Sequence, residues 1–373
     1  MPEDPAAVRL PAGLVPGDGR FGSGPSKVRD EAMARLSDSA HGYLGTSHRR
    51  PGVKSVVQRA REGLRQLYTL PDGYEVLLGN GGTTAFWDAA TFGLIERRSQ
   101  HLSFGEFSAK FAAVTAAAPF LEDPDVIESP PGTHPDPHPN PDVDAYALTH
   151  NETSTGVMMD ITRPDTGGLV LVDGTSAAGG LRVDAATFDV YYFAPQKAFG
   201  SDGGLWLALC SPAALERIEQ ISRSGRWQPA FLSLPIALEN SRQDQTYNPP
   251  ALATLFLMTD TIEWMVAHGG LEWAATRCDR AAEVLYGWAE ASAYAAPFVA
   301  KPAERSHVTA TIDFDGVDAA ALATALRANG IVDTESYRKL GRNQLRIALF
   351  PAIELDDVVT LTRAIDYLVA ALR

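Results

Sequence analysis

A single lysine between two apolar runs constrains this chain more than any other feature. In Val190–Leu209, VYYFAPQKAFGSDGGLWLAL, the residues Tyr191–Phe193 and Leu205–Leu209 read as buried strands. Pro195, Gly200, Gly203 and Gly204 turn the chain between them. Lys197 therefore lies on a turn between two core strands. Two readings are open at this point. The lysine stem lies along apolar surface with its ammonium in water, or the amine is desolvated and held for Schiff-base chemistry, which needs a depressed pKa.

The preceding chain repeats one pattern, an apolar strand followed by a polar or glycine-rich turn and a helix. Glu75–Leu78 runs into GNGGTT and a helix over Ala85–Ile95. In such a turn glycines admit a close backbone approach, and free N–H groups at the helix start face an anion. Gly82, Thr83 and Thr84 are the candidates there. Leu102–Phe107 ends a second strand before an alanine-rich helix at about Ser108–Ala118, and places Phe107 where a ring can stack on a flat ligand. Ala145–Thr149 is followed by HNETSTG, which contains Thr153, and Gly168–Val172 ends abruptly at Asp173. This alternation predicts an α/β fold, a mostly parallel sheet with helices on both faces. Thr83, Thr84, Phe107, Thr153, Asp173 and Lys197 then share the rim of strand carboxyl ends, where open sheets of this kind bind ligands.

Other segments are less regular. The first 20 residues read as an extended arm, and the G-x-G-x-x-G match at Gly17–Gly22 lies in it without a strand before it. A helix at about Lys27–Ser37 precedes HGYLGTSHRRPG, a loop in which His48, Arg49 and Arg50 either grip an anion or form a solvated basic face. Leu121–Asp144 holds seven prolines and seven acidic residues and reads as an irregular surface loop. Its His134 and His138 are separated by prolines that forbid a helix, so no metal site is assigned.

Composition narrows the function. The 32 basic and 46 acidic residues leave a net charge of −14, unlike a nucleic-acid binder or a protein drawn to anionic membranes. No apolar run reaches membrane-spanning length. The cysteines, Cys210 and Cys278, are too few for a disulfide framework, and a cytoplasmic location is expected.

A phosphate turn, a stacking ring, a buried carboxylate and a sequestered lysine match the needs of pyridoxal 5′-phosphate. The segments FGSGPSKV, GTSHRRPG, LLGNGGTT, VDGTSAAGG, FAPQKAFG and LRIALFP together resemble the phosphoserine aminotransferases, class V pyridoxal-phosphate enzymes of fold type I. The likeness runs from about Phe21 to the C-terminus. It implies amino transfer between L-glutamate and 3-phosphohydroxypyruvate, giving O-phospho-L-serine and 2-oxoglutarate in serine biosynthesis, with a 4-phosphohydroxythreonine activity in pyridoxine synthesis left open.

By the same resemblance, Lys197 is the Schiff-base lysine, Asp173 the partner of the pyridine nitrogen and Gln196 a contact to the cofactor's phenolic oxygen. Gly82, Thr83 and Thr84 fall on the phosphate turn, Thr153 beside the ring and Phe107 at the stacking position. Thr246–Pro250 resembles a segment that reaches the cofactor phosphate of a neighbouring subunit, through Asn248, with Pro249 in place of a threonine. A homodimer with active sites at the interface follows. His48 and Arg49 match the anion-binding loop, and Arg346 the arginine for the α-carboxylate. The substrate phosphate is left to Arg338, Lys339 or Arg342, or these form only a solvated basic loop. The alternative is another class V aminotransferase, acting on alanine, serine or glyoxylate. A large cofactor domain over residues 21–269 and a smaller α+β domain over 270–373 complete the expectation.

Overall fold

The computed structural model describes residues 4–372. Two helices, α1 (Asp30–Tyr43) and α2 (Pro51–Leu67), lead into strand β1 (Glu75–Gly81) and helix α3 (Thr83–Gly93). Then come β2 (Ser99–Ser103), α4 (Glu106–Ala116), β3 (Asp125–Glu128), β4 (Ala145–Thr149), the small hairpin β5 (Asn151–Glu152) and β6 (Val157–Met158), β7 (Leu169–Asp173), β8 (Val190–Phe193) and β9 (Gly204–Cys210). Helices α5 (Pro212–Arg223), α6 (Leu234–Arg242) and α7 (Leu252–His268) follow. The C-terminal part holds α8 (Gly270–Ala291), β10 (Ala295–Pro297), β11 (Thr309–Phe314), α9 (Ala319–Ala328), β12 (Gln344–Ala348) and α10 (Leu355–Leu372).

Seven strands form one sheet in the order β1-β9-β8-β7-β4-β2-β3. Only β9 runs against the others, pairing antiparallel with both β1 and β8. Strands β7 and β8 show why such a sheet is apolar throughout. Val170, Val172, Tyr191 and Phe193 pack into one layer with α2 and α7. Leu169, Leu171, Val190 and Tyr192 pack into the opposite layer with α3 and α5. Helices thus cover both faces, and the carboxyl ends of β1, β2, β4, β7 and β8 share one rim.

A third core gathers α8, α9 and α10 around the antiparallel sheet β10-β11-β12. Leu10 and Phe21 belong to it. The N-terminal segment lies along this region: Leu10 N–H donates to Asn329 Oδ1 at 2.9 Å, and the Asn329 amide donates back to the Val8 carbonyl at 2.9 Å. Met1–Glu3 of the expected arm lie outside the described residues.

Two local expectations are corrected. Helix α1 does not stop before His41 but continues through Gly42 to Tyr43. The buried Tyr43 ring packs 5.7 Å from that of Phe256, and its hydroxyl donates to the Leu252 carbonyl, which fastens the last turn. The proline-rich segment is not wholly irregular either. Asp125–Glu128 adds the edge strand β3 parallel to β2, before the proline cluster begins. A short edge strand tolerates flanking prolines because one of its sides needs no ladder partner.

Candidate active site

A cavity of about 280 Å³ opens on the shared rim. Gly82, Thr83 and Thr84 from the β1–α3 turn line it, with Phe107 at the start of α4, Thr153 in the β5–β6 turn, Asp173 at the end of β7, and Gln196 and Lys197 after β8. Parallel strands separated by crossover helices deliver these residues to one place from distant parts of the chain.

Lys197 is 7% exposed. Its ammonium donates to the Ser23 carbonyl at 2.9 Å and to the Thr153 hydroxyl at 3.2 Å, and lies 5.7 Å from the centroid of the Phe107 ring. Burial, reinforced by the charge of Arg346, lowers its pKa to about 7. Gly24, with φ +122°, passes so close that a Cβ there would lie 2.9 Å from Lys197 Cγ. The bland reading, an ammonium in water, is thereby excluded.

Asp173 is equally enclosed, and burial pushes its carboxyl up to about 6. It accepts from Thr175 N–H at 2.8 Å and from the Trp87 indole at 3.2 Å. Neither donor was expected from the sequence. Trp87 stands one helical turn beyond Thr83, and Thr175 follows Asp173 by two residues. Those spacings are the signals that point to both. The Thr175 and Thr83 hydroxyls meet at 2.7 Å, which ties the β7 turn to the start of α3.

The α3 N-terminus has the features of an anion cradle. Its first intrahelical bond is from Phe86 N–H to the Gly82 carbonyl, so the N–H groups of Thr83, Thr84 and Ala85 precede the ladder. Gln196 presents a buried side-chain oxygen without a partner among the described residues. A helix start for a phosphate, a buried acid, an enclosed amine and the Gln196 side-chain amide, whose NH₂ can donate to a phenolic oxygen, are the donor and acceptor set that pyridoxal phosphate requires, and the residues present fit it.

Arg346, on β12, is half-buried, with its guanidinium 5.3 Å from the Tyr337 ring centroid and a 3.4 Å bond to the Thr153 carbonyl. Its Nε is buried without a partner among the described residues. Tyr337 also meets Phe107, at 6.1 Å between centroids. Lys339 pairs with Glu106, and Arg342 with Asp313. Arg338 is exposed and makes no ion pair among the described residues.

His48, Arg49, Asn248 and Pro249 do not line the cavity. His48 and Arg49 sit on the turn between α1 and α2, with Arg49 exposed. Asn248 and Pro249 are held beside the end of β1, where the Asn80 amide donates to the Pro249 carbonyl at 3.0 Å and Asn80 Oδ1 accepts from Asn248 N–H at 3.3 Å. Neighbouring Tyr247 is 46% exposed.

A sheet and rim of this kind define a fold-type I enzyme, and the chain belongs to the class-V aminotransferase family, whose model matches residues 133–334. Its relatives narrow the class. A protein of Mycolicibacterium vanbaalenii named putative phosphoserine aminotransferase is 58% identical over 368 residues, covering 98% of this chain and 99% of its own. The phosphoserine aminotransferase of Rhodococcus jostii is 58% identical over 366 residues, 97% of this chain and 98% of its own. In fold, the chain matches the crystal structure of a phosphoserine aminotransferase from Cytophaga hutchinsonii with a TM-score of 0.86, at 24% identity, over 94% of this chain and 99% of that one.

Proposed function

We propose that this chain is a pyridoxal-phosphate-dependent transaminase that moves the amino group between L-glutamate and 3-phosphohydroxypyruvate, forming O-phospho-L-serine and 2-oxoglutarate for serine biosynthesis. The observation that carries this reading is the enclosed Lys197 amine sharing one cavity with the buried Asp173 carboxylate and the open N-terminus of α3. When bound, pyridoxal phosphate supplies an electron sink for negative charge at the substrate Cα.

The chain's own residues do the rest. The α3 N-terminus and the Thr83 and Thr84 hydroxyls hold the phosphate. Asp173, fixed by Trp87 and Thr175, provides negative charge for the pyridine nitrogen, and Gln196 meets the phenolic oxygen. Phe107 covers the ring plane. With a pKa of about 7, Lys197 is suited both to bond the cofactor and to take the proton from the substrate Cα near neutral pH. Arg346 takes the α-carboxylate as a planar fork.

Three further elements belong to this reading. His48 and Arg49 take the substrate anion, and Asn248 and Pro249 reach the cofactor phosphate of the neighbouring subunit in a homodimer with active sites at the interface. The domain division falls at Gly269–Gly270. The enzyme works in the cytoplasm; among the described residues no helix is long and apolar enough to cross a membrane.

Purified protein should be yellow, and borohydride should fix the cofactor to Lys197, as read by mass spectrometry of the peptide. Lys197→Ala is expected to abolish that link and to lower kcat by at least roughly 10²–10⁴-fold through loss of the proton-transferring group alone. Fixation at another lysine would sink the assignment.

A further inference from the structure

Glu152 is completely buried but does not line the cavity. Its carboxylate accepts five hydrogen bonds. Oε1 takes the Ser154 N–H at 3.1 Å and the Ser154 hydroxyl at 2.7 Å. Oε2 takes the Phe107 N–H at 3.1 Å, the Ser108 N–H at 2.9 Å and the Ser108 hydroxyl at 3.0 Å. Two of these donors are first-turn N–H groups of α4, which have no intrahelical acceptor and attract negative charge. Acceptor-only oxygens accommodate all five donors, whereas an amide would turn an NH₂ toward one set of them.

The same side chain lies next to two of the three neighbours of the Lys197 amine. Thr153, whose hydroxyl accepts from Lys197, is the next residue, and Phe107, whose ring lies beside the ammonium, is fixed through its own N–H. Space is reserved for this arrangement. The backbone of Gly105 is extended, yet a Cβ there would lie 2.3 Å from Glu152 Cγ.

We propose that Glu152 is a positioning residue that sets the Phe107 ring against Lys197 by holding the first turn of α4. The proposal rests on the cofactor reading above, because Phe107 is taken to cover the pyridoxal ring.

The test is a double-mutant cycle on cofactor affinity, measured by fluorescence titration of apoprotein with pyridoxal phosphate. Glu152→Gln is expected to weaken binding about tenfold, the scale of a hydrogen bond to a charged group, and Phe107→Ala also about tenfold, the scale of a lost ring contact. The double variant should be little worse than either single one, because Glu152 acts through Phe107. Losses that multiply to about a hundredfold would overturn the proposal. Ser154→Ala, which removes one donor and keeps the carboxylate, should cost about threefold and show the same non-additivity with Phe107→Ala; it carries the cycle if Glu152→Gln does not fold. Amide hydrogen exchange at Phe107 and Ser108 gives a readout independent of the cofactor. Faster exchange in the variant supports the hold on α4, and unchanged exchange refutes it. Failure of the unmodified protein to bind pyridoxal phosphate would instead refute the cofactor reading and leave the exchange result to decide.

Discussion

Lys197 and Asp173 are enclosed and held by fixed groups around the sheet rim, whereas four of the cations assigned to the substrate, Arg49, Arg338, Lys339 and Arg342, are exposed on connecting segments, with Arg346, half-buried on β12, between the two extremes. At the first end, a backbone carbonyl, a hairpin hydroxyl, an indole and a turn N–H set the two charges. At the second, Arg49 and Arg338 are exposed, and Lys339 is exposed despite its pairing with Glu106. The difference follows from what each end must do. A group that tunes a cofactor benefits from a dry, invariant environment, while a group that captures a diffusing anion must reach solvent and exchange one negative partner for another. Enclosure is costly to the folded state and exposure is not, so the two ends should respond differently to mutation and to pH.

The largest effect belongs to the enclosed pair in apoprotein. Lys197 releases its proton near pH 7 when folded and near 10.5 when unfolded. Between those values the unfolded chain binds more protons, so stability rises with pH there, and the full cost of the buried ammonium applies below pH 7. Asp173 works in the opposite sense: its ordinary value is 3.8 and its folded value about 6, so stability falls as pH rises through that interval. Apoprotein should therefore be least stable at about pH 6–7. Lys197→Met should stabilise the apoprotein most at pH 6, by on the order of 5 kcal/mol before the loss of two hydrogen bonds is counted, read as a higher melting temperature. The advantage should fade toward pH 10. A constant difference across that range, in melts of cofactor-stripped protein, would show that the amine is not enclosed as described.

A smaller effect separates two kinds of arginine. Arg346 is half-buried beside Thr153 and should serve both substrates alike, so Arg346→Ala is expected to raise KM for glutamate and for the phosphorylated keto acid by roughly 10–100-fold each, the loss of a charge-assisted fork. His48→Ala and Arg49→Ala should affect the phosphorylated substrate by about tenfold and glutamate by less. Steady-state kinetics with each substrate varied in turn gives both ratios. Equal losses for the two substrates in the His48 and Arg49 variants would erase the distinction.

The contrast also explains what was legible in the sequence. The rim was readable because burial on both faces forces near-continuous apolar strands, and a polar residue that ends such a run, as Asp173 ends β7, has few other places to go. The partners of Asp173 were not readable as such. Trp87 is separated from it by 86 residues and is brought near only when β1 and β7 take their places in the sheet. Glu152 looked like one polar residue among several in a turn; its five bonds exist because α4 begins beside the hairpin. Helix α1 outran its expected end because Tyr43 finds Phe256 and Leu252 on α7, a tertiary contact that local glycine content does not reveal. The exposed loops were legible only as clusters of charge, since nothing in the sequence says which cation already has an acidic partner.

That last point yields the smallest effect and the finest division. Of the three cations before β12, Lys339 is engaged by Glu106, and Arg342 by Asp313 while also lying 4.5 Å over the Phe298 ring. An anion arriving from solvent has to compete with those carboxylates for them, but not for Arg338. Exposed pairs are worth at most about 1 kcal/mol, so the competition weakens Lys339 and Arg342 without silencing them. Arg338→Ala should therefore raise KM for the phosphorylated substrate by roughly three- to tenfold, and Lys339→Ala and Arg342→Ala by about twofold or less. Glu106→Gln removes the charge that occupies Lys339 and should lower that KM slightly, an effect that rising salt diminishes. If Lys339→Ala proves the most damaging of the three and Glu106→Gln is without effect, Glu106 orients Lys339 for the substrate instead of occupying it, and the phosphate end would be pre-arranged in the same manner as the cofactor end.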